Sequence, residues 1–230
     1  MKGRHFNKMK YEAVIFDLDG TLINSLEDVA DSVNLMLQGY GFPTHALEEF
    51  RYFLGNGPRK LIERSLPTKE AASASFVDEA LAKYQSLYAE HFLEKTRAYR
   101  GVREMLTYLA DYHLPLGICT NKNQEDAKNI VRFLFEPHTF QSVAGDREGS
   151  KRKPDPTKVL WMAQEFGVAP EKVAYLGDTG VDMQTAIHAG FLPVGVLWGF
   201  RDKKELMENG AKVLLEHPLE LFNKVKFAKR

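Results

Sequence analysis

Two periods alternate along most of this chain, and one stretch carries only the helical one. Between Tyr11 and Phe16 the apolar residues are continuous (Ala13, Val14, Ile15, Phe16) and end abruptly at Asp17-Leu18-Asp19-Gly20-Thr21. A short apolar run closed by a turn signal predicts a strand buried on both faces, as in a parallel sheet. The pattern then becomes helical. Leu26, Val29, Ala30, Val33, Met36 and Leu37 form one stripe, opened by Asn24 or Ser25 and stopped by Gly39 to Gly41. A short helix is expected over 46–54 and another from Pro58 to about Leu66. A long one carries Val77, Ala80, Leu81, Tyr84, Leu87, Tyr88 and His91 and is expected to begin near Lys69. No strand is predicted inside this stretch.

From Tyr99 onward both periods return. Helical stripes (Val102 to Leu109, Ala127 to Leu134, Val159 to Phe166, Val181 to Ala189) alternate with apolar runs at 114–119, 140–144, 173–176 and 192–197. Such alternation predicts an α/β fold, with a parallel sheet and helices on both faces. The division expected is a catalytic core of residues 1–23 and 96–230, interrupted by an all-helical domain over 24–95.

Composition narrows the function classes. The 230 residues are 44% apolar and 27% charged, as in an ordinary globular protein, and 31 basic residues balance 31 acidic ones. No global field therefore favours nucleic acid or an anionic membrane. A single cysteine, Cys119, excludes an internal disulfide and a Cys-rich zinc site. No apolar run reaches the length of a membrane span. The expected setting is cytoplasmic, as a monomer or homodimer. Met1 to Lys10 (MKGRHFNKMK) is basic and unpatterned and reads as a leader, with Met9 an alternative start and Met1–Lys8 then outside the natural product.

The candidate chemistry lies where strands end. Alternation turns Asp17 and Asp19 to the same side, with Leu18 between them turned away. Two carboxylates so close call for a cation, a shared proton, or both. Thr120-Asn121 ends the second core strand just before a helix start, which suits phosphate oxygens, although either side chain could simply cap that helix. Lys151-Arg152-Lys153-Pro154-Asp155-Pro156 is a basic loop stiffened by prolines. It could hold one ammonium over the strand ends, Lys153 before Lys151. Asp178 and Asp182 in Gly177-Asp178-Thr179-Gly180-Val181-Asp182 add two more hard oxygen ligands, a set that suits Mg2+.

These four segments, DLDGT at Asp17–Thr21, Thr120-Asn121, the lysine of KPDP at Lys153 and GDTGVD at Gly177–Asp182, resemble the motifs of the haloacid dehalogenase superfamily in its phosphatase branch. DGTLINSLEDVADSVNLML, LGNGPRKLIERSL and VLWGFRDKKELMENGA look like its phosphoglycolate phosphatase group. The resemblance runs over nearly everything from Met9 onward. The departures are a denser basic stretch before KPDP and a segment from Phe135 to Phe140 without the usual glycine. The resemblance implies a Rossmann-like core with a helical cap. It also implies that Asp17 is a nucleophile forming an aspartyl phosphate and that Asp19 is the acid and base. Mg2+ would be held by Asp17, the Asp19 carbonyl and Asp178, with Asp182 ligating directly or through water. Thr120, Asn121 and Lys153 would cradle the phosphate.

Asp19 favours phosphate transfer over dehalogenation, because halide leaves without a proton whereas an alkoxide wants an acid. A phosphomutase, a pyrophosphatase or a silent phosphate-ligand binder are the competing readings on the same fold. The substrate expected is a small phosphorylated metabolite, 2-phosphoglycolate first. By the same resemblance Gly55, Asn56 and Gly57 form the cap loop facing it. Arg59 or Lys60 stands behind that loop, either to meet an anion or to lie solvated on the outer helix face.

Overall fold

The computed structural model describes residues 10–229. The stretch Met1–Lys10 expected to be a leader lies outside them except for Lys10, as does the alternative start at Met9. Strand β1 (Ala13–Phe16) is buried along its whole length. Val14 and Phe16 join one apolar cluster with Val102, Met105, Ile118 and Ile130, while Ala13 and Ile15 join another with Val159, Met162, Tyr175 and Ala186. Neither face of the strand meets water, so its sequence is a run and not an alternation.

The chain leaves this core through a two-residue strand β2 (Ile23–Asn24). Helices α1 (Leu26–Gly39), α2 (Leu47–Phe53), α3 (Pro58–Ser65), α4 (Thr68–Ala71) and α5 (Ala74–His91) follow. The chain returns through β3 (Arg97–Ala98), which pairs antiparallel with β2. Two-residue strands carry no readable period, so this ribbon is invisible to a pattern search. The long helix expected from about Lys69 is interrupted: the Ser73 hydroxyl accepts the Phe76 N–H at 3.4 Å and starts α5 afresh. The helices bury an apolar cluster of their own, including Val33, Met36, Phe50, Ile62, Val77 and Tyr88, into which Phe200 reaches from the other part of the chain. The buried Asp28 carboxylate accepts the N–H groups of Lys95 (2.9 Å) and Thr96 (2.8 Å) and the Thr96 hydroxyl (2.7 Å). These charge-assisted bonds tie α1 to the returning chain.

Beyond the ribbon come α6 (Val102–Ala110), β4 (Leu116–Asn123), α7 (Gln124–Leu134), β5 (Ser142–Asp146), α8 (Thr157–Glu165), β6 (Val173–Gly177), α9 (Gly180–Ala189), β7 (Leu192–Val196), α10 (Lys203–Glu208), β8 (Val213–Leu215) and α11 (Leu221–Lys224). Six strands form one sheet in the order β5-β4-β1-β6-β7-β8, every neighbouring pair parallel. The chain works outward from β1 through β4 to β5, then crosses back to β6 and works outward on the other side. That reversal between β1 and β6 opens a crevice at the strands' carboxyl ends, the usual ligand position of such sheets. Strand β4 also runs further than its apolar stretch, through Thr120 to Asn123, and its register with β5 breaks between Cys119 and Asn123.

Candidate active site

The crevice at the reversal is lined by the ends of β1 and β6. The Asp17 N–H still belongs to the sheet, donating to the Leu176 carbonyl at 2.8 Å, so its side chain leaves from a fixed base. Lys153 is buried between two acids, its Nζ 2.8 Å from Asp17 Oδ1 and 2.6 Å from Asp182 Oδ1. Asp182 is held from its other side by the Thr179 hydroxyl (2.6 Å) and N–H (3.0 Å), a capping box that opens α9. Asp178 accepts the Thr21 hydroxyl at 3.1 Å and the Phe200 N–H at 2.8 Å. Gly20, at φ +85°, passes so close to Asp178 that any Cβ would collide with that carboxylate.

The charges in this cluster do not balance. Oxygens of Asp17, Asp178 and Asp182 lie within 4.8 Å of one another, and Lys153 is the ammonium among them. Burial, then the Asp182 charge, pushes the Asp17 carboxyl up to about 7 in spite of Lys153. Burial, then Asp182 and Asp17, raises Asp178 well above the carboxylate range. Burial works against the Lys153 charge too, but Asp17 and Asp182 outweigh it and hold the ammonium firmly protonated. Three buried carboxylates with one cation suit a further divalent ion, and an all-oxygen set suits a hard one such as Mg2+.

Above the cluster lies a cavity of about 60 Å³, bordered by Asp17, Asp19, Asn121, Lys122 and Lys153 below and by Gly55, Gly57, Leu61, Tyr84 and Tyr88 above. At roughly 10–15 Å³ per water, that space suits a small molecule. Asp19 borders it as well, its Oδ1 accepting the Ser25 hydroxyl at 2.5 Å and lying 3.1 Å from Lys122 Nζ. Asn121 links three parts of the wall. Its Oδ1 accepts the Lys153 N–H at 2.9 Å, and its Nδ2 donates to the Gly55 carbonyl at 3.1 Å. The Thr120 hydroxyl accepts the Lys122 N–H at 3.1 Å.

A family model described as haloacid dehalogenase-like hydrolase matches residues 14–196. The chain belongs to that family. Relatives of this hydrolase include a phosphoglycolate phosphatase of Chromobacterium violaceum, 30% identical over 222 residues that cover 96% of this chain and 99% of the relative. Another, from Pseudomonas putida, is 31% identical over 206 residues, 88% of this chain and 75% of the relative. Among solved structures, a candidate phosphoglycolate phosphatase from Lactobacillus delbrueckii subsp. bulgaricus superposes with a TM-score of 0.85 at 27% identity, over 93% of this chain and 97% of that one. A haloacid dehalogenase-like family hydrolase from Streptococcus pneumoniae has the same fold, with a TM-score of 0.82 at 24% identity over 93% and 97%.

Of the residues singled out in the sequence, the structure of this hydrolase gathers Asp17, Asp19, Asn121 and Lys153 on one cavity, with Asp178 and Asp182 beneath and Thr120 beside them. Lys151 is 69% exposed and pairs with Asp155, so Lys153 is the lysine that reaches the cluster. Gly55 and Gly57 line the cavity, whereas the Asn56 side chain accepts from Arg64. Arg59 is not among the residues that border the cavity. Its guanidinium pairs with Asp78 and Glu63 on the outer surface, as Lys60 does with Glu63. Residues absent from the sequence reading are Ser25 (as a partner of Asp19), Lys122, and Tyr88 as a wall of the cavity. A signal for Lys122 existed: it lies two residues beyond Thr120 on an extended strand, and so on the same side.

Proposed function

We propose that this hydrolase is a Mg2+-dependent phosphatase of small phosphomonoesters, acting through an aspartyl phosphate on Asp17, with 2-phosphoglycolate its leading substrate. Its class is that of the phosphoric monoester hydrolases. The observation that carries the reading is that two carboxylates border one small cavity, Asp17 against buried Lys153 and Asp19 beside Ser25 and Lys122.

Asp17 Oδ attacks phosphorus, and the bond from phosphorus to the leaving oxygen breaks as Asp19 delivers its proton to that oxygen. Asp19, now a carboxylate, takes a proton from the water that attacks the aspartyl phosphate, releasing phosphate and restoring Asp17. Asp17, the Asp19 backbone carbonyl and Asp178 would hold Mg2+, with Asp182 directly or through water. The ion supplies charge neutralisation for the dianionic ester. Lys153, the Thr120 hydroxyl and the Asn121 N–H hold the phosphoryl oxygens as charge develops on them. Asp182, gripped by Lys153 and Thr179, keeps the lysine aimed at Asp17.

In this reading residues 24–95 are a cap domain that closes over the leaving group and excludes water. Gly55 and Gly57 bring backbone close to the substrate, and the bond from Asn121 to the Gly55 carbonyl latches cap to core. The working setting is cytoplasmic, as a monomer or homodimer. No described helix is long and apolar enough to cross a membrane.

The test is turnover of a panel of phosphorylated metabolites with Mg2+, with and without EDTA. The expected result is EDTA-sensitive release of phosphate, with kcat/KM highest for 2-phosphoglycolate. A higher value for pyrophosphate or a sugar phosphate would withdraw the substrate and leave the reaction class. Full activity in EDTA would withdraw the metal.

A further inference from the structure

Arg59 is turned outward, so the group that meets the substrate's far end lies elsewhere. We propose that Lys122 and the Tyr88 hydroxyl form a subsite for the carboxylate of the leaving group, which makes carboxylated alcohols the preferred leaving groups. This deepens the phosphatase reading above and rests on it.

Two cations border the cavity, Lys122 and Lys153. Lys153 is committed to Asp17 and Asp182 at the phosphate end. Lys122 stands beside Asp19 instead, with its side chain only 9% exposed and its Nζ 3.1 Å from that carboxylate and 4.6 Å from the centre of the Tyr88 ring. An ammonium has three donors, and among the described residues its hydrogen-bond acceptor is Asp19 Oδ1. Donors therefore remain for a ligand, beside the group that protonates the leaving oxygen.

Tyr88 supplies the second observation. It is 2% exposed, borders the same cavity, and its hydroxyl is buried with no hydrogen-bond partner among the described residues. Buried phenols ordinarily find a partner. Leaving one unpartnered where the wall faces a cavity points to a ligand acceptor. Lys122 and Tyr88, in contact through the ring, offer two donors on one cavity, and a carboxylate has two oxygens to take them. Val29, Leu61, Tyr84 and Phe200 add apolar and aromatic wall that strengthens an ion pair by excluding water, with Gln85, Asn123 and Thr179 as further polar members of the lining. Asp126 borders the cavity as well, and its charge faces Lys122, so the ammonium is shared between Asp19, Asp126 and the incoming anion.

A lysine that merely held Asp19 in place would serve every substrate alike, and the test turns on that difference. The probes are 2-phosphoglycolate and 2-hydroxyethyl phosphate, in which a hydroxymethyl group replaces the carboxylate, both at saturating Mg2+. The parent protein is expected to prefer the carboxylated ester in kcat/KM by about 10- to 100-fold. Lys122→Met slows both esters but erases most of that preference, chiefly through KM. Tyr88→Phe keeps the ring and the packing and lowers the preference by roughly 3- to 10-fold. Equal losses on both esters in Lys122→Met, or an unchanged ratio in Tyr88→Phe, would overturn the subsite. A parent protein that hydrolyses both esters equally overturns it too, while leaving the phosphatase reading intact. A parent protein that hydrolyses neither withdraws 2-phosphoglycolate as substrate, and the subsite falls with it.

Discussion

Along the floor of the cavity Lys153, Asp178 and Asp182 are each held by more than one partner, whereas the helical roof contributes mostly apolar and aromatic surface and sends its charges outward. Lys153 bridges Asp17 and Asp182, Thr179 grips Asp182, and Thr21 and the Phe200 N–H hold Asp178. Across the cavity Val29, Leu61, Tyr84 and Tyr88 face in, while Arg59 and Lys60 pair with Glu63 and Asp78 on the outside. The floor is thus built for one chemical group whose shape never varies. In the proposed reading the roof excludes water and fits the variable part of the substrate.

The largest effect that sharpens this contrast is at Asp17. Asp17→Asn is expected to lower kcat by at least ~10⁴-fold, as removal of a nucleophile does. The fold should not suffer, because a carboxyl raised to about 7 by burial is relieved when it becomes a neutral amide. Steady-state turnover and thermal melting of the variant check both parts, and a comparable kcat would break the assignment.

Lys153→Met comes next and tests the floor as a unit. It leaves Asp17 and Asp182 buried without their cation, so stability should fall by about 3–5 kcal/mol along with activity. Denaturant titration measures it. Adding Asp17→Asn to Lys153→Met should restore part of the loss, since neighbours in one network are not additive. Strict additivity would mean that the bridge is not the stabilising contact.

A pH titration of the metal-free protein isolates the same imbalance. Burial pushes the Asp17 carboxyl up to about 7 in the folded state, against an ordinary value of 3.8, so between those values the folded state binds a proton that the unfolded chain has lost. Stability in EDTA should therefore be greater near pH 4 and fall as pH rises toward 7, with a limiting slope of about 1.4 kcal/mol per pH unit for one carboxyl. Added Mg2+ should stabilise more at pH 8 than at pH 5. Melting curves that are flat across this window would contradict the excess of buried negative charge.

How much could be read from the chain follows the same division. The floor is legible because Asp17 and Asp178 sit at the abrupt ends of apolar runs, where strand geometry decides which way they point, while Lys153 stands in a proline-stiffened loop and Asp182 in the first turn of α9. The wall beside Asp19 is less so. Lys122 stands on a strand that continues past its apolar stretch, so a search that stops at Cys119 reads it as a loop residue. Tyr88 falls on the apolar stripe of α5, where an aromatic that packs and an aromatic that also lines a cavity have the same period. Arg59 looks like a substrate cation because it follows a glycine loop, but Asp78, nineteen positions away on α5, captures it in a contact that no local pattern encodes. The ribbon of β2 and β3 is a pairing of distant dipeptides and has no signature of its own.

Arg59 also provides the smallest effect. Arg59→Ala should change kcat/KM for 2-phosphoglycolate by less than about 2-fold, as expected for an exposed surface ion pair. A loss of tenfold or more would place a roof charge in the site and break the contrast.

Acid quenching of the protein during turnover of a phosphorus-labelled substrate tests the central claim most directly. The account predicts an acid-stable, hydroxylamine-labile phosphoenzyme whose label maps by mass spectrometry to the peptide carrying Asp17 and is absent in Asp17→Asn. Turnover with no trapped phosphoenzyme, or a label on any other residue, would contradict it.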